Sequence, residues 1–313
     1  MYEQISANKW KSGLMLFIFV VFVLGLGYVI GVVWGGSTRP YYGLAGLAIA
    51  FVVASVMAFL SYYKSDSIAL AVSGARPLRE GEFIRYRNAV QGLAIAAGLP
   101  TPRIYVIEDE SMNAFATGRN PENSAIAATT GLLNAMDDLE LQGVIAHEMS
   151  HIKNYDILLQ TITIVLAGTV VLISEIFLRS LWFRDEGGDS GMVGLIFLLI
   201  GIVLAILAPF IAYAIKFWIS RKREYLADAN GALLTRYPPG LAGALRKISG
   251  ETRPLRRANN ATSHLYIAQP LKGKRGERVS RSRLFDTHPP IEERIRRLDQ
   301  MSLGFSPATR GQT

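Results

Sequence analysis

The chain has 313 residues, of which 50% are hydrophobic, with a formal net charge of +8 and a mean hydropathy of +0.25. These values exclude an ordinary soluble domain and predict membrane-spanning helices joined to a smaller folded domain. The chain contains no cysteine, which excludes disulfide bonds and thiolate metal ligands.

Apolar stretches along the chain predict four transmembrane helices. A helix needs about 20 predominantly apolar residues to cross about 30 Å of hydrocarbon, and each stretch is long enough. The third stretch also carries Glu175 and Arg179, which a helix would bring together near the outer interface. The predicted spans cover residues 14–34, 42–63, 157–181 and 192–213.

The basic residues that flank these spans predict their orientation. Lys11 precedes the first span, Lys64 follows the second, and a basic cluster at 216–223 follows the fourth. By the positive-inside rule, both termini and the two long polar segments lie in the cytoplasm. The predicted organisation is a membrane hairpin at 1–63, a cytoplasmic catalytic segment at 64–156, a second membrane hairpin at 157–219 and a second cytoplasmic catalytic segment at 220–313.

The positive charge predicts contact with the lipid bilayer, since each Lys or Arg near an anionic leaflet contributes about 1 kcal/mol. Nucleic-acid binding is disfavoured because the basic stretch 253–283 carries no recognisable binding motif and no interleaved aromatic residues. Its composition predicts a mobile surface segment, although residues 265–271 within it are apolar enough to dock.

Helical and strand periodicities predict an α+β domain in the two cytoplasmic segments. Residues 82–97 have apolar side chains at helical spacing and are followed by Gly98. Asp137 and Glu140 match a capping box, so a helix is predicted from about residue 138 to residue 154. Strands are predicted at 103–107, 113–117 and 124–130, and further helices at 219–234, 241–249 and 291–301.

The sequence His147-Glu148-Met149-Ser150-His151 is typical of a zinc peptidase helix. Residues four apart lie on one helix face, so both imidazoles can reach one metal ion. Glu148 then lies beside the metal and is predicted to be the general base for attack by a metal-activated water. The alternative interpretation is a helix with two solvated histidines.

Two histidines require a third ligand, and Glu224 is the candidate. Spans three and four form a hairpin, so the helices that enter and leave it lie side by side. At 1.5 Å per residue, Glu224 and His151 lie about 8 Å and about 9 Å from the membrane boundary. The alternative is a surface charge. Asp228, one turn later, is either a hydrogen-bond partner of a ligand histidine or a solvated acid.

Two further histidines, His264 and His288, lie outside this pattern. The residues alone favour surface-turn histidines at both positions. A second role for His288 is stabilisation of the tetrahedral oxyanion, which an imidazole near the metal can provide.

Four segments together resemble the HtpX-type membrane metalloproteases, relatives of the zinc CaaX prenyl proteases. The match extends over nearly the whole chain and includes four spans in the expected places. The segments that carry it are NAFATG at 113–118, HEMSHIKNYD at 147–156, REYLAD at 223–228 and THPPIEER at 287–294.

The resemblance implies an α+β membrane protein in which four transmembrane helices carry a zincin-like cytoplasmic catalytic domain. That domain is helical with a small β-sheet and is assembled from two segments. It also implies a zinc endopeptidase of the prokaryotic cytoplasmic membrane, with one Zn²⁺ per chain. Its substrates would be polypeptides, namely misfolded or damaged membrane proteins.

The resemblance also implies roles for individual residues. Glu224 would be the third ligand, Asp228 the partner of a ligand histidine, and His288 a transition-state stabiliser. An edge strand would pair with the substrate backbone. Pairing through backbone groups accepts substrates of many sequences. The residues of this strand would be Asn113, Ala114, Phe115 and Ala116.

Two alternative functions share these motifs. A CaaX-type prenyl-protein endopeptidase is built around a larger many-span chamber, and four spans argue against it. A non-catalytic zinc-binding membrane adaptor has no need of a general base, so the presence of Glu148 argues against it. The motifs specify no oligomeric state.

Overall fold

The computed structural model describes residues 2–35, 41–163, 166, 221–258, 262–263, 265–268 and 289–305. The chain divides into two compact units. The first unit comprises Met1–Asn8, Asp66–Thr161 and Ile219–Thr313, and the second comprises Lys9–Ser65 and Ile162–Trp218. The fourth predicted span lies outside the described residues, as does most of the third, including Glu175 and Arg179.

Two long apolar helices correspond to the first two predicted spans. Helix α1 covers Tyr2–Gly35 and α2 covers Tyr41–Tyr63. Both are long and apolar enough to cross a membrane, over Ile5–Val32 and Tyr41–Tyr63. Large apolar side chains such as Ile49, which is 67% exposed, cover their outer surface. Such a surface suits lipid and does not suit water.

Glycines allow these two helices to approach each other closely within the second unit. A Cβ atom on Gly46 would lie 2.2 Å from the carbonyl oxygen of Gly27, and one on Gly31 would lie 2.2 Å from that of Tyr42. Small residues at such contacts are characteristic of helix pairs in membranes, where close backbone packing stabilises the pair.

The first unit contains a four-stranded sheet. Strands β2 (Arg103–Ile107) and β4 (Ser124–Thr129) are parallel and form its centre, and β3 (Ala114–Gly118) pairs antiparallel with β4 at one edge. The predictions of β2, β3 and β4 are confirmed to within a residue. Strand β1 (Ala75–Pro77), antiparallel to β2, was not predicted because three residues carry no periodic signal.

Helices of the first unit pack around α6 (Asp138–Lys153), which carries the two predicted ligand histidines. The predicted capping box at its start is present, with Asp137 and Glu140 bonding reciprocally. Most of α6 is buried against the sheet and the neighbouring helices, so it forms the centre of the core. The other helices are α3 (Ser65–Val72), α4 (Ile84–Ala97), α5 (Thr130–Ala135), α7 (Arg221–Thr235), α8 (Pro238–Ser249) and α9 (Ile291–Phe305).

The prediction of a mobile surface segment at 253–283 is wrong for residues 255, 262–263 and 265–267, which are buried, whereas residues 253–254 and 256–257 are exposed, as a surface segment requires. Leu255, Tyr266 and Ile267 are buried, and the ring of Tyr266 packs edge-to-face on Phe115 at 5.2 Å. The expectation that residues 265–271 dock is confirmed for 265–268. The prediction rested on the composition of the whole segment, in which the many basic residues outweigh these few apolar ones.

Candidate metal centre

The two histidines of α6 face each other within the core. Nε2 of His147 lies 3.2 Å from Nε2 of His151, and both side chains are almost completely buried. One helical turn separates the residues, so their proximity follows from the backbone alone. Burial excludes the interpretation as two solvated histidines.

Helix α7 brings Glu224 to the same point. Its Oε1 lies 3.6 Å from Nε2 of His151, and its Oε2 lies 3.9 Å from Nε2 of His147. The helices approach closely at Gly231, where a Cβ atom would lie only 3.0 Å from the backbone nitrogen of His147. Glu224 is 2% exposed, which excludes the surface-charge interpretation.

Each imidazole is held from behind by a carboxylate. Oδ1 of Asp228 lies 3.0 Å from Nδ1 of His147, and Oδ2 of Asp156 lies 2.9 Å from Nδ1 of His151. Each carboxylate is placed to accept a hydrogen bond from Nδ1–H, which leaves Nε2 of each ring directed at its neighbour. Asp228 is buried, so the solvated-acid interpretation is wrong. Sequence reasoning missed Asp156 as a partner.

The pKa values of the two histidines differ in direction. Burial lowers the pKa of His147, against the opposing effect of Asp228. Burial also acts to lower the pKa of His151, but its hydrogen bond to Asp156 and the charge of Glu224 outweigh this and raise it to about 9. Metal ions bind the neutral imidazole, so zinc would compete with protons at this pair.

The donor set fits a zinc ion. The three ligand atoms lie within 4.8 Å of one another, and ligands about 2.0–2.1 Å from a tetrahedral ion are about 3.3 Å apart. The 3.2 Å separation of the imidazole nitrogens is close to that value. Two imidazoles and one carboxylate are a ligand set that zinc accepts, and other first-row divalent ions also bind imidazole.

Glu148 lies beside this cluster with an unused oxygen. The side chain is 1% exposed, and its Oε1 makes no hydrogen bond within the described part of the chain. Burial raises the pKa of Glu148 to about 7, against the opposing effects of His151 and of the backbone N–H of Ala116 on β3. The carboxylate thus lies between the histidines and the sheet edge, where it is able to exchange a proton near neutral pH.

Arg294 on α9 is a buried positive charge beside the carboxylates of Asp228 and Glu224. Sequence reasoning did not identify its role. The guanidinium donates to both oxygens of Asp228, at 2.8 Å and 2.7 Å, and its Nη1 lies 3.7 Å from Oε2 of Glu224. Burial alone would raise the pKa of Asp228, but the charge and hydrogen bonds of Arg294, together with His147, outweigh burial and lower it. The family-like segment 287–294 ends on Arg294 and excludes the exposed Arg296 and Arg297, and this was the signal that could have identified it.

The predicted substrate strand lies beside the cluster but already has a neighbour. The backbone N–H of Ile267 donates to the carbonyl of Ala114 at 3.0 Å, and its own carbonyl accepts from Arg294 at 2.7 Å. Asn113 donates to the carbonyl of Ala268 at 3.1 Å, and Phe115 is buried. Residues 265–268 therefore cover one end of this edge. His264 and His288 lie outside the described residues, and their roles stay predictions.

Comparison with known proteins gives a consistent family assignment. A model described as peptidase family M48 matches residues 82–302. A protein described as a protease HtpX homolog from Dictyoglomus thermophilum is 46% identical over 96% of this chain and 94% of its own length. One from Thermoanaerobacter pseudethanolicus is 42% identical over 97% and 98%, and one from Streptococcus gordonii is 40% identical over 96% and 100%.

Among solved structures, the chain is similar to the crystal structure of S. mikatae Ste24p. The TM-score is 0.47 and the sequence identity is 19%, over 93% of this chain. The match covers 66% of the Ste24p chain, so this chain spans about two thirds of that protein's length.

Proposed function

The chain belongs to peptidase family M48, and we propose that it is a zinc endopeptidase that cleaves misfolded or damaged membrane proteins on the cytoplasmic side of a prokaryotic membrane. Family membership makes it a metallopeptidase, and its apolar helices make it membrane-associated. The observation that carries the proposal is the convergence of two Nε2 atoms and one carboxylate on a single buried point.

His147, His151 and Glu224 would hold one zinc ion per chain. When bound, zinc would polarise the scissile carbonyl and lower the pKa of a water molecule. Asp228 would accept a hydrogen bond from Nδ1 of His147 and so orient Nε2 of that ring toward the ion.

Glu148 is the proposed general base. Its buried Oε1 has no protein partner among the described residues, so it is available to accept a proton from the attacking water. A pKa of about 7 suits both acceptance of that proton and its transfer to the leaving amine. His288 would stabilise the tetrahedral oxyanion from the segment that precedes α9.

The edge of β3 is the proposed binding surface for the substrate backbone. Backbone groups of a strand point alternately to its two sides. The carbonyl of Asn113 accepts from β4, and that of Ala114 faces outward to Ile267. Ala116 therefore faces outward like Ala114, and its N–H lies next to Glu148. A substrate strand would pair at Ala116, with residues 265–268 bounding the cleft at Ala114.

The orientation of the molecule follows from its charges. Lys9 and Lys11 lie on α1, Lys64 follows α2, and Arg221 to Arg223 begin α7. Positive charges flanking membrane helices face the cytoplasm, so we place the first unit and both termini there, with two further spans between residues 157 and 213.

The decisive experiment compares detergent-purified wild type with Glu148→Gln on an unfolded membrane-protein substrate, with the zinc content of both measured. We expect about one zinc per chain in both and a loss of cleavage of about 100-fold or more in the variant, since a general base contributes about 10²- to 10⁴-fold. His151→Ala serves as the metal-deficient control.

Three results would contradict parts of this proposal. Unchanged cleavage by Glu148→Gln would remove Glu148 from the mechanism. Absence of zinc from the purified wild type would contradict the proposed zinc site. Cleavage confined to a prenylated C-terminal peptide, with none of the unfolded membrane protein, would favour the CaaX-type alternative.

A further inference from the structure

The carboxylate behind His151 belongs to a buried cluster that includes the start of the chain. This Asn8 cluster consists of Asn8, Asp156 and Arg223, all in the first unit. Asn8 is 3% exposed and Asp156 is 2% exposed. Neither residue is a predicted ligand or general base, yet Asp156 contacts the ligand His151 and Asn8 contacts Asp156.

Asn8 uses its whole amide in this cluster. Its Nδ2 donates to Oδ1 of Asp156 at 2.8 Å and to the backbone carbonyl of Asn154 at 2.9 Å. Its Oδ1 accepts from Nη1 of Arg223 at 3.1 Å. Both the nitrogen and the oxygen of this buried amide have hydrogen-bond partners. Substitution of Asn8 would therefore leave polar groups of those partners without a hydrogen bond.

Asp156 is oriented by a hydrogen bond from Asn8 and by the nearby charge of Arg223. Its Oδ1 accepts from Asn8 and lies 3.1 Å from Nε of Arg223, which leaves Oδ2 for Nδ1 of His151 at 2.9 Å. Arg223 is the neighbour of Glu224 in sequence. The cluster therefore joins the end of α6, which carries both histidine ligands, to α7, which carries Glu224.

The backbone between α6 and Asp156 has an unusual conformation next to the contact of Asp156 with His151. Tyr155 has φ of +59°, an uncommon value for a residue other than glycine. Residues 154 and 155 form a turn between α6 and the next helical residues, and Asp156 after this turn contacts His151 five residues earlier. Such strained residues persist where the surrounding structure fixes them, often at functional sites.

We propose that Asn8 and Asp156 are positioning residues of the metal site, which hold His151 with Nδ1 protonated and Nε2 directed at the ion. The start of α1 is thereby a functional part of the metal centre. This inference rests on the proposed zinc site. It predicts that residues without any contact to zinc control its affinity, because partners of this kind typically change metal affinity by about 10- to 100-fold.

The test measures zinc dissociation constants of the full-length protein in detergent with a competing chelator. Asp156→Asn preserves shape but replaces one carboxylate oxygen with an N–H donor, and we expect about 10- to 100-fold weaker binding. Asn8→Asp is isosteric but removes both donors and places a second carboxylate beside Asp156, and we expect about 10-fold weaker binding. Ser6→Ala, at an exposed position on the same helix, is the matched control and should bind like wild type.

A second measurement separates positioning from a general loss of folding. Asn8→Ala introduces no charge and should also weaken zinc binding. The zinc-free variants should remain folded, with unfolding temperatures lowered only by the loss of buried hydrogen bonds. Raising free zinc above each variant's dissociation constant should restore full occupancy, because the ligands are intact. A folding defect would not respond to zinc in this way.

The outcomes distinguish this inference from the proposed function. Wild type that binds zinc while all three variants bind it equally tightly would overturn the positioning role and leave the zinc site standing. Wild type that binds no zinc would overturn both. Weak binding by the variants that excess zinc does not restore would assign the Asn8 cluster to folding alone.

Discussion

Arg294 is a buried positive charge whose main partner is the Asp228 carboxylate. Breaking a buried ion pair by removing one partner costs about 3–5 kcal/mol, because the remaining charge is left uncompensated. Lysine cannot reproduce the two parallel bonds that the guanidinium makes to Asp228. We therefore expect Arg294→Lys to lower the unfolding temperature and to weaken zinc binding through His147, as measured by thermal unfolding in detergent and chelator competition.

The pair formed by Arg246 and Asp299 provides the matched control. Its side chains are 51% and 48% exposed, and Arg246 contacts both carboxylate oxygens at 2.6 Å. Exposed pairs contribute about 0–1 kcal/mol, so Arg246→Lys should leave both measurements near the wild-type values. Equal effects of the two substitutions would contradict the role of burial.

The part of the site that lies on one helix was predictable from sequence. His147, Glu148 and His151 are related by helical geometry, which fixes their neighbourhood without any tertiary information. Asp156 and Arg294 were missed because their function depends on burial, and a single sequence does not distinguish a buried charge from the solvated charges around it. Their contacts join positions far apart in the chain, as between Asp228 and Arg294.

At the scale of elements, the close contact of α6 with α7 places Glu224 at the histidines. Gly231 makes this contact possible, since an added Cβ would lie 3.0–3.2 Å from the backbone of Ala146 and His147. Alanine normally stabilises a helix by about 1 kcal/mol relative to glycine. At Gly231 we expect the opposite sign, with destabilisation of about 1–3 kcal/mol and weaker zinc binding, because packed backbone cannot yield.

The same substitution on α4 shows the effect of helix propensity alone. Gly92 is exposed, and an added Cβ would have no atom within 4 Å. Gly92→Ala should therefore maintain or raise the unfolding temperature and leave the zinc dissociation constant unchanged. If Gly231→Ala behaved like Gly92→Ala, the close packing of α6 and α7 would not be what positions Glu224.

Elements with strong periodicity or capping signals were predicted, and short ones were not. Helix α4 ends at Gly98, which adopts the left-handed conformation expected of a C-terminal glycine. Strand β1 and helix α5 contain three and six residues, too few for a pattern to emerge. Residues 265–268 were predicted to dock, but their position on β3 depends on tertiary contacts.

At the scale of the whole molecule, the absence of cysteine makes the proposed orientation directly testable. A single introduced cysteine is the only thiol in the protein. Thr38→Cys lies between α1 and α2 in sequence, and Asn88→Cys lies at an exposed position on α4 of the first unit. If the positive-inside assignment is correct, a membrane-impermeant maleimide added to intact cells should label Thr38→Cys and should label Asn88→Cys only after permeabilisation.

The cysteine-free parent gives the background, and retained proteolysis by both variants shows that neither substitution disturbs the fold. Labelling of Asn88→Cys in intact cells would place the first unit outside the cytoplasm. That result would leave the chemistry of the metal centre intact, because His147, His151 and Glu224 all belong to one unit. It would instead mean that the substrates lie on the opposite side of the membrane. The orientation therefore decides which membrane-protein segments the proposed peptidase can reach.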